Sequence, residues 1–436
     1  TNTLPKDIAD SHLSGELHIS NLGLWSLIPD TIFLNLKELI GNGIDLKGKC
    51  PGVTRMAAPK TIDDLEKLLP MIFTLVSKES SQEVVIDDLV PVLTKFSKNT
   101  SDIEKMLTNV FTISSISISL DKSPTILSFK IPLISDKKLI STVISAYNNY
   151  VKSTPSPKIG LVIDYEKGKV TDHSDVLAQT VSLGGNIIFS KGSSSTNAIK
   201  SLSKNSEPLI KLGSLSINLP RLALESSKDE TYFRARLVLL MKPAIAAMAT
   251  RKKDVSDLIR RGVNPILAEK TQFMQKNNSS IVINLVGLKE AVYSILGHKD
   301  DKEGKEILNK VLETAVDISH KKGQELEIDV SVAMVDSDEL KRFVTLDSEK
   351  YGKNSIMDVT DSDLYSQGLE LNPSEIEKMT AKTDVISEYN RISKILDGGL
   401  LVKLPFEQKS KDAEIKKAIE KASSLISSFK PIKQKN

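Results

Sequence analysis

The sequence predicts a mixed α/β fold, with which a barrel is compatible. Short runs with strand-like patterns alternate along the chain with longer runs of helical periodicity, as in proteins built on parallel strands. No break in composition divides the 436 residues, and α/β barrels of this length occur as one domain with insertions. With 40% hydrophobic and 26% charged residues, the chain can bury a sizeable core.

Residues 1–110 are predicted to be a mainly helical part of the barrel domain. Apolar residues recur at helical spacing in Ile62–Ser77, and 84–97 continue the pattern despite Pro91. From Phe111 to Leu120 isoleucine alternates with serine, which predicts a half-buried strand. This strand would open an α/β barrel over residues 111–407.

The rest of the chain gives further strands and helices. Six more runs are predicted as strands: Ile159–Asp164, Asn186–Ser190, Leu215–Leu219, Ile281–Val286, Leu326–Ala333 and Leu400–Leu404. Helical patterns cover Asp136–Lys152, Asp229–Arg261 with a kink expected at Pro243, Lys302–Lys322 and Pro373–Leu396. The serine-rich stretch Lys191–Asn205 is predicted as a loop. Residues 408–436 are predicted as a separate C-terminal unit, a lysine-rich amphipathic helix followed by a basic tail.

Charge and cysteine content narrow the function classes. A net charge of +3 does not favour nucleic acid or an acidic membrane surface as a partner. The single cysteine, Cys50, cannot form an internal disulfide, which fits a reducing cytoplasm, and it rules out a zinc site built on cysteines. No signal peptide and no run of about 20 apolar residues stands out. We therefore expect a cytoplasmic protein that contacts no membrane and holds no metal or cofactor.

Seven segments together resemble the anaerobic, class III ribonucleotide reductases, which are glycyl radical enzymes. They follow the family order over nearly the whole chain: Asp7–Ile40, Ser114–Leu120, Gly213–Glu225, Ile283–Gly297, Leu326–Gly352, Leu364–Leu371 and Asp397–Leu404. Within them, GLKEA is similar to a Gly-(Leu/Met)-Asn-Glu-Ala segment, and DGGLL to a Thr-Gly-Gly segment. The resemblance implies the ten-stranded α/β barrel of ribonucleotide reductases and glycyl radical enzymes.

The residues needed for the family's chemistry are missing from the matching positions. The family uses a glycyl radical, a cysteine that becomes a thiyl radical, and a zinc site of four cysteines. Its first cysteine falls on Thr31, and its His-x-His-Asp pattern falls on His18, Ser20 and Asn21. The finger-loop cysteines should lie near Asn186–Ser195, which contains none, and no glycine follows Gly399. We interpret His18, Ser20, Asn21 and Thr31 as a degenerate former site and the chain as a truncated member with no catalytic residues.

The resemblance and the losses together predict a pseudoenzyme that acts by binding or assembly, in a structural or regulatory role. One alternative is a nucleotide-sensing regulator that retains the family's allosteric site. Another is an enzyme with changed chemistry in the old barrel. We expect a homo-oligomer, a dimer or larger, with nucleotide as a candidate ligand and an unidentified protein as a candidate partner.

Two features of the predicted helix Asp229–Arg261 are candidates for binding. Its basic residues Arg251, Lys252 and Lys253 could contact phosphate, although a solvated helix face is the ordinary reading. Its apolar stripe could form an oligomer interface or pack on the barrel: Phe233, Leu237, Leu240, Met241 and Ile245.

Two more expectations concern the interior and the histidines. Apolar residues around Thr31 and the 186–195 stretch predict a narrower or more apolar barrel interior than a nucleotide substrate needs: Ile32, Phe33, Ile187, Ile188 and Phe189. His12 and His18, with Glu16, could bind a metal, but six residues apart they would not share a helix face, so no metal site is expected.

Overall fold

Ten strand positions form a nearly closed ring in the computed structural model. The ring belongs to a sheet of thirteen strands. The structure describes residues 4–434 apart from 26, 47–54, 97–98, 135, 155, 167, 192–195, 198–201, 204–209, 270–278, 298–301, 337–338 and 361. Within that part of the chain, none of the helices combines the length and the hydropathy needed to cross a bilayer.

The first half of the ring consists of five strands, each parallel to its neighbour. They are β1 (Thr31–Asn35), β2 (Glu83–Asp87), β3 (Ile126–Pro132), β4 (Ile159–Tyr165) and β5 (Ile187–Lys191).

The second half is again parallel within itself. Its strands are β6 (Ile210–Asn218), β7 (Ser279–Val286), β8 (Asp329–Met334), β9 (Gly399–Leu400 and Val402–Phe406, separated by Leu401) and β10 (Ser428–Lys433). Two antiparallel seams join the halves, β1 with β6 and β5 with β10. The ten-stranded barrel predicted from the sequence is therefore confirmed, with Leu17–Ile19 and Leu369–Glu370 added beside β6 and β9.

Helices cover the outside of the ring. In chain order they are α1 (Lys6–Ser14), α2 (Leu36–Gly41), α3 (Ile62–Ser77), α4 (Leu89–Thr94), α5 (Thr100–Leu120), α6 (Lys137–Ser153), α7 (Ser174–Ser182), α8 (Leu219–Glu225), α9 (Glu230–Arg260), α10 (Pro265–Glu269), α11 (Leu288–Leu296), α12 (Lys302–Glu325), α13 (Leu340–Tyr351), α14 (Lys353–Met357), α15 (Pro373–Ile376), α16 (Asp384–Ile395) and α17 (Asp412–Leu425). Short 3₁₀ helices cover Leu22–Leu24 and Val170–His173, and two small hairpins pair Ile44–Asp45 with Arg55–Met56 and Thr196–Asn197 with Leu202–Ser203.

Side chains alternate between the helices and the interior along each barrel strand, as the period of two requires. On β3, Phe129 packs against Phe73 of α3 and Phe111 of α5, each at 5.2 Å between ring centroids. The neighbouring Ser128 and Lys130 therefore face the interior. The main apolar core lies between the ring and its helices.

The strand predicted for Phe111–Leu120 is wrong, because these residues form the second half of α5. The buried positions of α5 recur every three or four residues, and they include Ser114 and Ser115. Ser115 is accommodated because its Oγ accepts a hydrogen bond of 2.8 Å from the Tyr150 hydroxyl. The serine–isoleucine alternation was thus coincidental, and the helical period decides the structure.

Three other assignments also need correction. The helix predicted over 84–97 is divided, since Glu83–Asp87 is β2 and only Leu89–Thr94 is helical. The predicted basic tail contains β10, a strand of the ring. The helix predicted over Pro373–Leu396 is two helices, α15 and α16.

The remaining predicted strands and helices coincide with observed ones, and α9 continues through Pro243. Most of the predicted loop Lys191–Asn205 lies outside the described residues. The division into three domains stays a prediction.

Candidate functional site

A cluster around Asp30, at the start of β1, unites several of the residues singled out from the sequence. Asp30 is completely buried. Its carboxylate accepts hydrogen bonds from the Ser81 hydroxyl (3.0 Å) and the Ser214 backbone N–H (2.9 Å). The Asn21 amide in turn donates to the backbone oxygen of Ser81 at 3.1 Å, and the Ser20 backbone N–H donates to Ser214 at 3.3 Å. The structure thus brings Ser20 and Asn21 close to the residue that precedes Thr31.

Thr31 itself is fully buried in β1, opposite Lys211 of β6 and Glu83 of β2. Its hydroxyl has no hydrogen-bond partner among the described residues. Lys211 donates to the Gln82 side chain at 3.1 Å. The Thr31 hydroxyl therefore lies among buried polar side chains.

Arg251 completes this cluster and is not available to a phosphate. Its side chain is fully buried, 3.2 Å from the Asp30 carboxylate, and its guanidinium also donates to the backbone oxygens of Trp25 and Ile28. It lies 5.0 Å from the centre of the Trp25 ring, in cation–π contact. The candidate phosphate site Arg251–Lys253 is therefore wrong for Arg251, while Lys252 donates to the backbone of Glu327 and Lys253 is exposed.

His18 lies apart from this cluster, on the short strand Leu17–Ile19, in register with Ser216 of β6. The chain reverses at Gly15, whose φ is +90°, and this turn brings the His12 ring to within 5.0 Å of the His18 ring. Spacing along a single helix could not reveal this contact, because His12 is on a helix and His18 is on a strand. Burial, then His18 and Arg342, lowers the pKa of His12 to about 4.

Glu16 pairs with Arg236 at 3.0 Å and accepts a hydrogen bond of 2.7 Å from the Ser11 hydroxyl. Across the described ranges, no three or more His, Cys, Asp or Glu side chains are arranged to hold a metal ion.

Two ion-pair clusters line the interior beyond the Asp30 cluster. Lys130 of β3 is 3.2 Å from Asp87 and 3.7 Å from Asp164.

The second ion-pair cluster has the opposite charges: one aspartate lies between two lysines. Lys403 of β9 and Lys430 of β10 approach Asp336 at 2.6 and 2.7 Å. Burial alone would raise the pKa of Asp336, but attraction to Lys430 and Lys403 outweighs it and holds the pKa below its ordinary value.

The expected apolar interior is only partly correct. Ile32, Ile187 and Phe189 point outward into the core between ring and helices, so for these three residues the prediction is wrong. Ile188 does belong to a separate small apolar cluster, with Val162, Val282, Ala333, Val335 and Leu401. The interior is therefore a mixture of one apolar layer and several charged groups. Residues 192–195, at the end of the stretch Asn186–Ser195, lie outside the described part of the chain.

Sequence reasoning missed Asp30 and the run Glu79–Glu83. That run was detectable, because five consecutive polar residues directly precede the apolar Val84–Ile86 and all five are buried. Chemically, the cluster offers hydroxyl, amide and carboxylate groups held in fixed positions. The described interior contains no thiol, and Cys50 lies outside the described residues.

Comparisons with known proteins agree with this architecture. The family profile described as anaerobic ribonucleoside-triphosphate reductase matches residues 171–427. No curated protein sequence matches the chain significantly.

Three solved structures illustrate the likeness of fold. The anaerobic ribonucleotide reductase from Thermotoga maritima with dATP bound in the specificity site has 17% identity and a TM-score of 0.71, over 98% of this chain and 79% of that chain. The same enzyme in complex with dATP and CTP has 16% identity, with the same TM-score and coverage. A glycyl radical enzyme from Archaeoglobus fulgidus has 11% identity and a TM-score of 0.57, over 87% of this chain and 63% of that chain.

Proposed function

The chain belongs to the anaerobic ribonucleoside-triphosphate reductase family, and we propose that it retains the family barrel as a scaffold for binding and assembly. We propose further that it does not reduce nucleotides. The proposal covers His18, Ser20, Asn21 and Thr31 as a degenerate former site.

The observation that carries the proposal is Thr31. It occupies the position at which the resemblance places the family's cysteine, and it is buried in the ring. An alcohol O–H bond is stronger and less acidic than a thiol S–H bond, so threonine cannot replace cysteine in radical transfer. The sole cysteine of the sequence, Cys50, aligns with neither cysteine position of the family barrel.

The charged interior gives further support. Lys130, Asp87 and Asp164 satisfy one another across three neighbouring strands of the first half. Such an arrangement serves the stability of the ring, since each buried charge needs a partner.

The test is an assay of nucleotide reduction under anaerobic conditions. The purified chain, mixed with a radical-generating activase and each ribonucleoside triphosphate, should form no deoxynucleotide and show no protein radical by electron paramagnetic resonance. The Thermotoga maritima enzyme, assayed in parallel, is the positive control. Deoxynucleotide formation above the blank without activase would refute the proposal.

For assembly, the stripe on α9 is no longer available, because all five of its residues are buried in the core. Helix α5 offers another surface. Its Ile113, Ile116 and Leu120 are 48, 52 and 77% exposed, and their spacing places them on one helix face. A second copy could bury this ridge against its own α5, as in a two-fold dimer.

Light scattering at micromolar concentration tests the assembly. We expect a mass of at least twice 47.9 kDa for the unmodified chain and a monomer for the double variant Ile116→Lys, Leu120→Lys. Leu239→Lys, at an exposed leucine of α9, is the matched control and should leave the oligomer intact. A monomeric unmodified chain would contradict assembly through this face.

The alternative is a nucleotide-sensing regulator. It is favoured by one observation, that the Thermotoga maritima reductase binds dATP in its specificity site. If this chain retains such a site, dATP should raise its unfolding temperature in a saturable way. The assembly proposal expects no such shift. An enzyme of changed chemistry is less well supported, since the carboxylate beside the Ser81 hydroxyl, that of Asp30, is already paired with the buried Arg251.

A further inference from the structure

A cavity of about 550 Å³ lies at the end of the ring where the second set of strands terminates. It is lined by residues of α11 and the start of α12, by Leu340, Glu388 and Lys403, and by Val359, Thr360, Ser362, Leu364, Tyr365, Ser366, Gln367 and Glu370. None of Asp30, Asn21 and Thr31 lines it. Its size is in the range of small-molecule sites.

Gln367 is the polar side chain that defines the site. It is 7% exposed, and its Oε1 accepts a hydrogen bond of 3.3 Å from Lys403 Nζ. This bond fixes the orientation of the amide, because the flipped form would turn its NH₂ group toward an ammonium group. Nε2 is buried and has no hydrogen-bond partner within the described part of the chain. Proteins rarely leave a buried donor unpaired.

Lys403 supplies a second donor beside it. Its ammonium has three N–H groups, of which Asp336 at 2.6 Å and Gln367 take two. One N–H group is left for a further acceptor, and both Lys403 and Gln367 line the cavity. Two adjacent donors, one of them charged, match the two oxygens of a carboxylate.

The other lining residues restrict the ligand's charge and shape. The cavity contains three lysines and three glutamates, namely Lys289, Lys305, Lys403, Glu290, Glu370 and Glu388. This balance disfavours a polyanion such as a nucleoside triphosphate. Apolar groups lie among them, including Leu308, Leu340, Val359, Leu364 and the ring of Tyr293.

We propose that this cavity binds a small carboxylic acid with an apolar or aromatic tail, and that Gln367 Nε2 and Lys403 hold its carboxylate. The tail packs on the leucines, the valine and the tyrosine ring. The carboxylate-site proposal does not depend on the proposed assembly role. It would still hold if this chain were found to reduce nucleotides.

Titration calorimetry with phenylacetate tests the proposal on the full chain. We expect saturable binding, with benzyl alcohol and ATP binding much more weakly because the first lacks the charge and the second carries too much. Gln367→Met removes the donor at nearly equal volume and should weaken phenylacetate binding about tenfold or more. Gln179→Met is the matched control, since Gln179 is on α7 and bonds Asn148 at 3.2 Å.

The folded state of the variant is checked by its unfolding temperature, which should stay close to that of Gln179→Met, because each substitution deletes one acceptor of a hydrogen bond, from Lys403 and from Asn148. Should Gln367→Met fail to fold, Gln367→Glu keeps an oxygen for Lys403, removes the donor and is expected to lose binding as well. Equal phenylacetate affinity in the Gln367 variants and the control would overturn the proposal. So would the absence of saturable binding up to about 10 mM.

Discussion

The two halves of the ring contain interior charge clusters of opposite composition. In the first half, Lys130 lies between Asp87 and Asp164, whereas in the second half Asp336 lies between Lys403 and Lys430. The central side chains differ in exposure, 8% for Lys130 and 23% for Asp336. Each half thus balances two like charges with one central ion, and the better buried centre should matter more.

Lys130→Met breaks the first cluster and should have the largest effect. It leaves two carboxylates close together without their cation, of which Asp164 is only 11% exposed. We expect the free energy of unfolding to fall by about 2–4 kcal/mol, measured by denaturant titration at pH 7. If Lys130→Met lost no more stability than Asp336→Asn, burial of the central ion would not determine which cluster contributes more to the free energy of unfolding.

Asp336→Asn breaks the second cluster and should cost less, about 1–3 kcal/mol at pH 7. Because the pKa of Asp336 is lowered in the folded state, its contribution is present above the unfolded pKa of about 4 and is lost as pH falls through the folded value. The unmodified chain should therefore lose stability more steeply than Asp336→Asn below about pH 4. Parallel pH profiles would contradict this.

Glu79 sharpens the comparison, because it is a first-half carboxyl whose pKa shifts the other way. Burial raises the pKa of Glu79 to about 7, although it accepts backbone hydrogen bonds from Ile266 and Leu267 at 2.7 and 2.9 Å. Between the unfolded pKa of about 4.3 and the folded value, the folded state binds more protons, so stability falls as pH rises. Glu79→Gln should flatten that slope by about 1 kcal/mol per pH unit within this range. An unchanged slope would rule out Glu79 as its source.

Lys416→Ala gives the baseline for both clusters. Its partner Asp175 is 88% exposed, and pairs of this kind contribute little in water. The unfolding midpoint should not move measurably. A clear decrease would mean that surface pairs must be counted alongside the interior clusters.

Much of the ring could be predicted from the sequence because its strands are buried on both faces. Every residue of Ile159–Tyr165 and Ser279–Val286 is buried, so the apolar residues of these strands form nearly continuous runs that stand out. Strand β10 was missed because Lys430 and Pro431 make it look like a solvated tail. Lys430 is tolerated inside only because Asp336 faces it, and that contact is invisible in the local sequence.

The candidate site shows the same limit. Arg251 belongs to a basic run that is typical of an exposed helix face, yet it is fully buried. Its partner Asp30 is 221 positions away, so no local pattern could reveal the pair. His12 and His18 were close enough in sequence to be considered together, but their contact depends on the turn at Gly15.

The two antiparallel seams also govern the order of events when the chain folds. Parallel neighbours within each half are joined through nearby helices, whereas Ser190 meets Ser428 and Tyr165 bonds the backbone of Ile426, 261 positions away. Loop closure over such separations is slow, because the chain loses conformational entropy before the stabilising contacts form. We expect each half to collapse as its own nucleus, with sealing of the β5–β10 seam as the late, rate-limiting event. Until then the edges of β5 and β10 are open to pairing with other chains.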